Sequence, residues 1–105
     1  NVLTYHNRCA HGRKVSEYAK SLGIAPHAAK MPFSLADFLV RFLSREDDLV
    51  VDPFGGTFTT GEAAERNARR WVSTDIIWEY VRQSFIRFTD RDWFVNPCFI
   101  KAKFE

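Results

Sequence analysis

The feature that most constrains this chain is a short apolar run that ends on an acid and a glycine turn. Leu49-Val50-Val51-Asp52 is a short continuous apolar run rather than an alternating one, as in a strand of a buried parallel sheet. Pro53-Phe54-Gly55-Gly56 ends it abruptly. Thr59 and Glu62 then stand at capping-box spacing, which predicts a helix to about Ala68. Ala63, Ala64 and Ala68 offer small side chains suited to close packing on a sheet. Trp71 to Thr74 reads as a second strand ending at Asp75, and Ile77, Val81, Ser84, Phe85 and Phe88 give another amphipathic helix. Residues 48–88 therefore read β-α-β-α. A crossover of that length implies parallel strands, so the expected class is α/β.

Upstream, residues 13–22 predict a helix with Val15, Tyr18, Ala19 and Leu22 on one face and Gly23 placed to end it. A loop with two prolines follows. The next helix is the best signalled: Ser34 as N-cap, Asp37 at the capping-box position, and Phe33 with Phe38 as a hydrophobic staple. Leu35, Phe38, Leu39, Phe42 and Leu43 form its expected buried stripe, and the polar run 44–48 closes it. Beyond Thr89 no period survives. Residues 1–105 are read as one domain, with 89–105 a tail of unassigned structure.

Ten phenylalanines and a 46 % apolar composition require a folded chain, and one this short needs partner surface to cover its core. A net charge of +2, with no basic run, gives no independent argument for nucleic acid. Cys9 and Cys98 lie far apart, with no secretory or membrane-spanning stretch, so a reduced cytoplasmic protein without a disulfide is expected. His6, Cys9 and His11 could be three zinc ligands, but no fourth stands at metal-site spacing, and no metal is expected. Asn1 is followed by Val2, Leu3 and Tyr5 as if mid-strand, which suggests a piece of a longer chain.

Ligands of open α/β sheets bind beyond the carboxyl ends of the strands. Asp52 and Asp75, 23 residues apart, sit at those ends with the glycine turn between them. Gly56 to Gly61 has the spacing of a phosphate loop, but Glu62 replaces the lysine and would repel phosphate. The dinucleotide pattern fails because Gly55 and Gly56 are adjacent. A nucleoside without phosphate fits better, S-adenosylmethionine among them. Its ribose could meet Asp75 and its carboxylate the backbone N–H groups at the helix start. The plainer alternatives are a tight α/β connection at the turn and a simple helix cap at Asp75.

Asp52 through Gly61 (DPFGGTFTTG) resembles the cofactor motif of DNA amino-methyltransferases, which act on cytosine N4 or adenine N6. Pro26 to Pro32 is similar to the P-H-P-A-[RK]-x-P stretch of that family, with Ala28 where relatives carry proline. Phe38 to Ser44, Glu62 to Arg66 and Arg69 to Trp71 extend the likeness across about residues 1–88. The order, with His27 before Asp52, resembles permuted enzymes whose cofactor half comes last. The resemblance implies a partial Rossmann-like, S-adenosylmethionine-dependent methyltransferase fold. It implies a cofactor site of Asp52, Pro53, Phe54, Gly55, Gly56, Thr57, Thr59, Thr60 and Asp75, closed by the loop of His27 and Lys30. The threonines would bound the methionine end and Asp75 the ribose.

The family's catalytic [DNS]-P-P-[YFW] segment does not occur. Asn96-Pro97-Cys98-Phe99 comes nearest and reads as a turn, so no catalytic residue is assigned. The expectation is the cofactor half of a restriction-modification type DNA methyltransferase, inactive alone, with cytosine N4 favoured over adenine N6. DNA would be a partner of the complete enzyme. The bare sheet would self-associate or join a missing catalytic half. The competing reading is a non-catalytic methyltransferase-like binding or interaction module.

Overall fold

The computed structural model describes residues 10–27 and 30–88. Among these described residues, four α-helices and two strands follow one another: α1 (Ala10–Ser21), α2 (Phe33–Leu43), β1 (Leu49–Asp52), α3 (Thr59–Arg66), β2 (Arg70–Ser73) and α4 (Trp78–Ser84). A 3-10 turn, Phe85–Arg87, extends α4. The expectations for Val2–Tyr5, His6, Cys9 and residues 89–105 lie outside the described residues. Strands β1 and β2 pair in parallel, Leu49 opposite Arg70 and Asp52 opposite Ser73, with α3 as the crossover. The α/β reading therefore holds.

The core forms where small residues let helices approach. Ala36 and Val40 of α2 meet Ala63 and Ala64 of α3, with Phe33, Val50 and Trp71 packed around them. An added methyl on Gly61 would lie 2.8 Å from the Trp71 ring, so glycine lets α3 sit directly on β2. Trp71 also stacks on the buried Phe88 at 5.0 Å, joining the sheet to the end of α4.

Three local expectations are corrected. First, α2 begins at Phe33 after Pro32, with no side-chain cap. The Pro32 carbonyl accepts from the Leu35 and Ala36 amides, which places Ser34 inside the helix. Asp37 instead accepts from Asn67 of the α3 C-cap at 2.7 Å. Phe33 stacks on His11 while Phe38 stacks on Phe42, so the two rings turn to different partners rather than forming a staple. Second, the buried face of α2 is Ala36 and Val40, not the more apolar stripe. Phe42 is exposed and Leu43 is 73 % exposed. Close helix contact selected the small residues and left the large ones outward. Third, Thr59 opens α3 but caps nothing: the preceding residue, Phe58, is the N-cap in a left-handed conformation, without a side-chain cap bond.

Helix ends follow chain geometry more faithfully. Gly23, at φ +71°, terminates α1 as expected. The Gly23 amide reaches the Lys20 carbonyl and the Ile24 amide reaches Ala19, the paired bonds of a Schellman end. The same bonds end α3, with Ala68 to Glu65 and Arg69 to Ala64. There the left-handed position is Ala68, at φ +59°, so this alanine shapes a turn and does not pack on the sheet. One sheet face, carrying Val50 and Trp71, is covered; Val51 on the other is 60 % exposed, with Leu49 and Val72 similarly open.

Candidate ligand site at the glycine turn

The parallel register brings the ends of β1 and β2 together, and backbone bonds lock the turn between them. The Thr74 amide donates to the Asp52 carbonyl, and the Gly55 amide returns the bond to the Thr74 carbonyl at 2.8 Å. Asp52 accepts from the Phe54 amide at 3.1 Å, an Asx turn that carries the chain round Pro53. Gly55 has no room for a side chain: a methyl there would overlap Ser73 Oγ and lie 2.8 Å from the Phe58 ring. Gly56 has φ +57°, which favours glycine, and an added methyl would approach His27 Nε2 to 3.3 Å. Phe58, also left-handed, buries its ring against the edge of Trp71.

Asp75 sits behind this turn. One carboxylate oxygen accepts from the Gly56 amide at 3.0 Å and the other from the Ile77 amide at 2.8 Å. The acid thus closes an Asx turn ahead of α4 and ties it to the glycine turn, while the N-cap of α4 is Ile77 without a side-chain cap bond, so Asp75 is not the simple helix cap. A carboxylate has lone pairs beyond those two bonds with which to accept from a ligand hydroxyl.

A cleft of about 170 Å³ opens over the turn, lined by Asp52, Phe54, Gly55, Gly56, Thr57, Thr59 and Thr60 on one wall. His27, Lys30 and Met31 line the other. Nine of the eleven residues expected at the site share this cleft; Pro53 and Asp75 are outside its lining. Met31 was not assigned to the site, although it stands at the variable position of the Pro26 to Pro32 stretch, next to Lys30. Gly56 leaves a gap before His27 that a Cβ would narrow, and the walls offer three threonine hydroxyls, a carboxylate, an imidazole and one ammonium beside Phe54 and Met31. These fit a nucleoside bearing an amino-acid tail.

The far wall is held by α4. His27 packs on the Tyr80 ring at 4.2 Å, and its amide donates to the Gln83 side chain at 3.3 Å. Gln83 Nε2 in turn donates to the Ala25 carbonyl at 2.9 Å. Lys30 Nζ donates to the His27 carbonyl at 2.6 Å. Burial first, and the neighbouring Lys30 charge second, hold the His27 imidazole below its ordinary pKa, with Asp75 opposing them. His27 is therefore predominantly neutral at pH 7.

Beneath the near wall lies a buried charge cluster that the sequence did not disclose. Arg87 donates through Nε to the Thr57 carbonyl at 2.5 Å and through Nη2 to the Thr57 and Thr59 hydroxyls at 3.2 and 3.0 Å. Its Nη1 meets Glu62 Oε1 at 3.0 Å. Glu62 Oε2 accepts from Arg66 at 2.8 Å and contacts His11 Nδ1 at 2.6 Å. Burial alone would raise the Glu62 pKa, but Arg87, then Arg66 and His11, outweigh it and the carboxyl lies below its ordinary value. The Glu62 carboxylate thus faces inward to Arg87 and does not line the cleft, so the repulsion of phosphate expected from it is not what the structure supplies. His11, the one described member of the weighed zinc trio, serves this cluster. Among the described residues no group of three potential ligands could hold a metal.

Comparison with solved structures gives the class. The PvuII DNA methyltransferase (cytosine-N4-specific) superposes with a TM-score of 0.70 at 38 % identity, over 87 % of this chain and 31 % of that one. TTHA0409 of Thermus thermophilus, a candidate DNA modification methylase solved with S-adenosyl-L-methionine, gives 0.54 at 32 % identity, over 81 % and 39 %. The fold is that of S-adenosylmethionine-dependent methyltransferases. Residues 4–85 match the profile of the DNA methylase family of N6 and N4 enzymes, and the chain belongs to that family. Type II methyltransferase M.PvuII of Proteus hauseri is 42 % identical over 92 residues, 88 % of this chain and 27 % of the relative. DNA adenine methyltransferase YhdJ of Escherichia coli (strain K12) is 33 % identical over 61 residues, 58 % of this chain and 21 % of the relative. The chain spans roughly a quarter of the length of these curated relatives.

Proposed function

We propose that this chain is the S-adenosylmethionine-binding portion of a DNA methyltransferase acting on an exocyclic amine. The observation that carries the reading is the cleft over Gly55 and Gly56, which gathers the glycine cradle, three threonines, His27 and Lys30 at the carboxyl ends of two parallel strands. In this reading the glycine turn admits the nucleoside and Asp75 accepts from the ribose hydroxyls. Thr57, Thr59 and Thr60 bound the amino-acid tail, and Asp52, Pro53 and Phe54 shape the mouth. The loop of His27 and Lys30 closes the far side. When bound, the cofactor supplies an electrophilic methyl group; the residues here bind and orient it.

Cytosine N4 is the favoured target. The higher identity to M.PvuII and the better superposition on the cytosine-N4-specific PvuII enzyme support it over the adenine alternative represented by YhdJ. The groups that would hold a flipped base and read a DNA site belong outside these 105 residues in this reading, in a permuted order with the cofactor part last. The cleft is smaller than the roughly 300–1,000 Å³ of ordinary ligand pockets, which fits a site that needs further walls. The exposed Leu49, Val51 and Val72 face, with Phe42 and Leu43 of α2, supports association with a second copy or with a catalytic half. Residues 1–105 act as one domain in this reading. A cytoplasmic setting accords with action on DNA, and among the described residues no helix is long and apolar enough to cross a membrane.

Calorimetry with S-adenosylmethionine tests the reading. The chain should bind, and Asp75→Ala should weaken binding by about 1.5–3 kcal/mol, the worth of a hydrogen bond to a charged group. Equal affinity in the variant would remove Asp75 from the site, and absence of binding in the parent chain would overturn the assignment.

A further inference from the structure

Two polar side chains at the end of α4 are more deeply buried than any residue lining the cleft requires. Gln83 is 0 % exposed and Arg87, in the 3-10 turn that continues α4, is 2 % exposed. They stand four residues apart, and neither lines the cleft. Each nonetheless grips one wall. Gln83 uses both ends of its amide, accepting from the His27 amide and donating to the Ala25 carbonyl, which pins the loop that carries His27 over Gly56. Arg87 donates to the Thr57 carbonyl and to the hydroxyls of Thr57 and Thr59, fixing the opposite wall. The walls themselves are separate in sequence: one precedes α2 and the other precedes α3.

We propose that Gln83 and Arg87 are positioning residues for the cofactor pocket, which set the spacing and hydrogen-bonding polarity of its two walls from beneath. The polarity follows from hydroxyl chemistry. A threonine oxygen that accepts from a guanidinium keeps its own O–H to donate. Arg87 thereby makes Thr57 and Thr59 donors toward the cleft, the sense needed for a ligand carboxylate. Gln83 performs the complementary task for the irregular connection before α2, which its amide ties to α4 and so holds over the turn. Preorganising both walls lowers the ordering cost at binding.

This inference rests on the cofactor reading above, and its test separates the two. Amide hydrogen exchange, a ring titration of His27 by NMR and calorimetry with S-adenosylmethionine are measured on the full chain, Gln83→Met and Arg87→Lys. Methionine preserves the volume of Gln83, and lysine preserves a charge for Glu62. In the parent, the His27 amide should exchange as slowly as the amides of α4. In Gln83→Met, the His27 ring, released from burial and from its fixed place between Lys30, Asp75 and Tyr80, should titrate at higher pH than in the parent. Arg87→Lys should leave that titration in place. Each variant should weaken S-adenosylmethionine binding about tenfold, the loss of one charged or buried hydrogen bond. A general loss of stability would move melting but not the His27 ring in the folded protein. An unprotected His27 amide, an unmoved His27 titration in Gln83→Met, or parental affinity in both variants overturns the proposal. If the parent itself binds no cofactor, the functional reading fails, and the exchange and titration still decide whether Gln83 holds the wall.

Discussion

Replacing Glu62 by glutamine probes the cluster beneath the site through stability. Glu62 is almost fully buried and faces Arg87, whose side chain is 1 % exposed. Removing one member of a buried pair leaves the other charge uncompensated, at a cost of about 3–5 kcal/mol. Glutamine keeps an oxygen to accept from Arg87, which places Glu62→Gln near the low end, about 3 kcal/mol. The Arg66 contact, 27 % exposed on the arginine side, adds little. A domain of this size has about 5–15 kcal/mol of total stability, so the variant should fold with a clearly lower urea midpoint. The acid response gives a second readout. The folded pKa of Glu62 is depressed below its ordinary 4.5, so the unfolded chain binds its proton first as pH falls. The stabilisation is present in full above that ordinary value and is lost as pH falls through the depressed one. Urea titrations from neutral pH down to that range should show a steeper loss in the parent than in Glu62→Gln. An equal midpoint, or an equal acid slope in both proteins, would refute the buried, ionised Glu62–Arg87 pair.

Other consequences follow from the same structure. Ala68→Gly should stabilise the chain by about 0.5–1 kcal/mol in urea unfolding, because Ala68 holds a left-handed φ where glycine is unstrained, partly offset by the greater freedom of the unfolded chain. The 105-residue chain should transfer no labelled methyl group to DNA above a cofactor-free control, since it carries no [DNS]-P-P-[YFW] segment. Light scattering at micromolar concentration should report self-association, reduced by Val51→Lys on the bare sheet face; a parent that is monomeric throughout would show that this face is covered within the chain.

The parts of the fold that were legible in the sequence are those set by local rules. Leu49 to Asp52 reads correctly as a parallel strand because its apolar run is short and stops before Pro53, but the burial expected on both faces is not found, since Leu49 and Val51 are exposed; Gly23 marks a helix end because its conformation demands it. Helix starts were less legible. Thr59 and Glu62 carry the spacing of a capping box, yet Arg87, 25 residues beyond Glu62, draws both side chains into its own network. A tertiary partner at that separation overrides a local signal of about 1 kcal/mol. The face of α2 was misjudged for a related reason. Hydrophobicity favours Phe42 and Leu43, whereas α3, with the buried Ala63 and Ala64 facing α2, packs against Ala36 and Val40. The candidate site was legible as a motif, but the residues that hold its walls were not. Gln83 is an ordinary helix residue by type, and only the loop lying against α4 reveals its role.

Amide NMR of the uniformly labelled chain, titrated with S-adenosylmethionine, tests the central claim most directly. Shift changes should centre on Gly55, Gly56 and Thr57, extend to His27, Lys30 and Asp75, and leave the α2–α3 contact around Val40 and Ala63 unmoved. Saturable changes centred elsewhere, or none at millimolar cofactor, would contradict the assignment of the cleft over the glycine turn as the cofactor site.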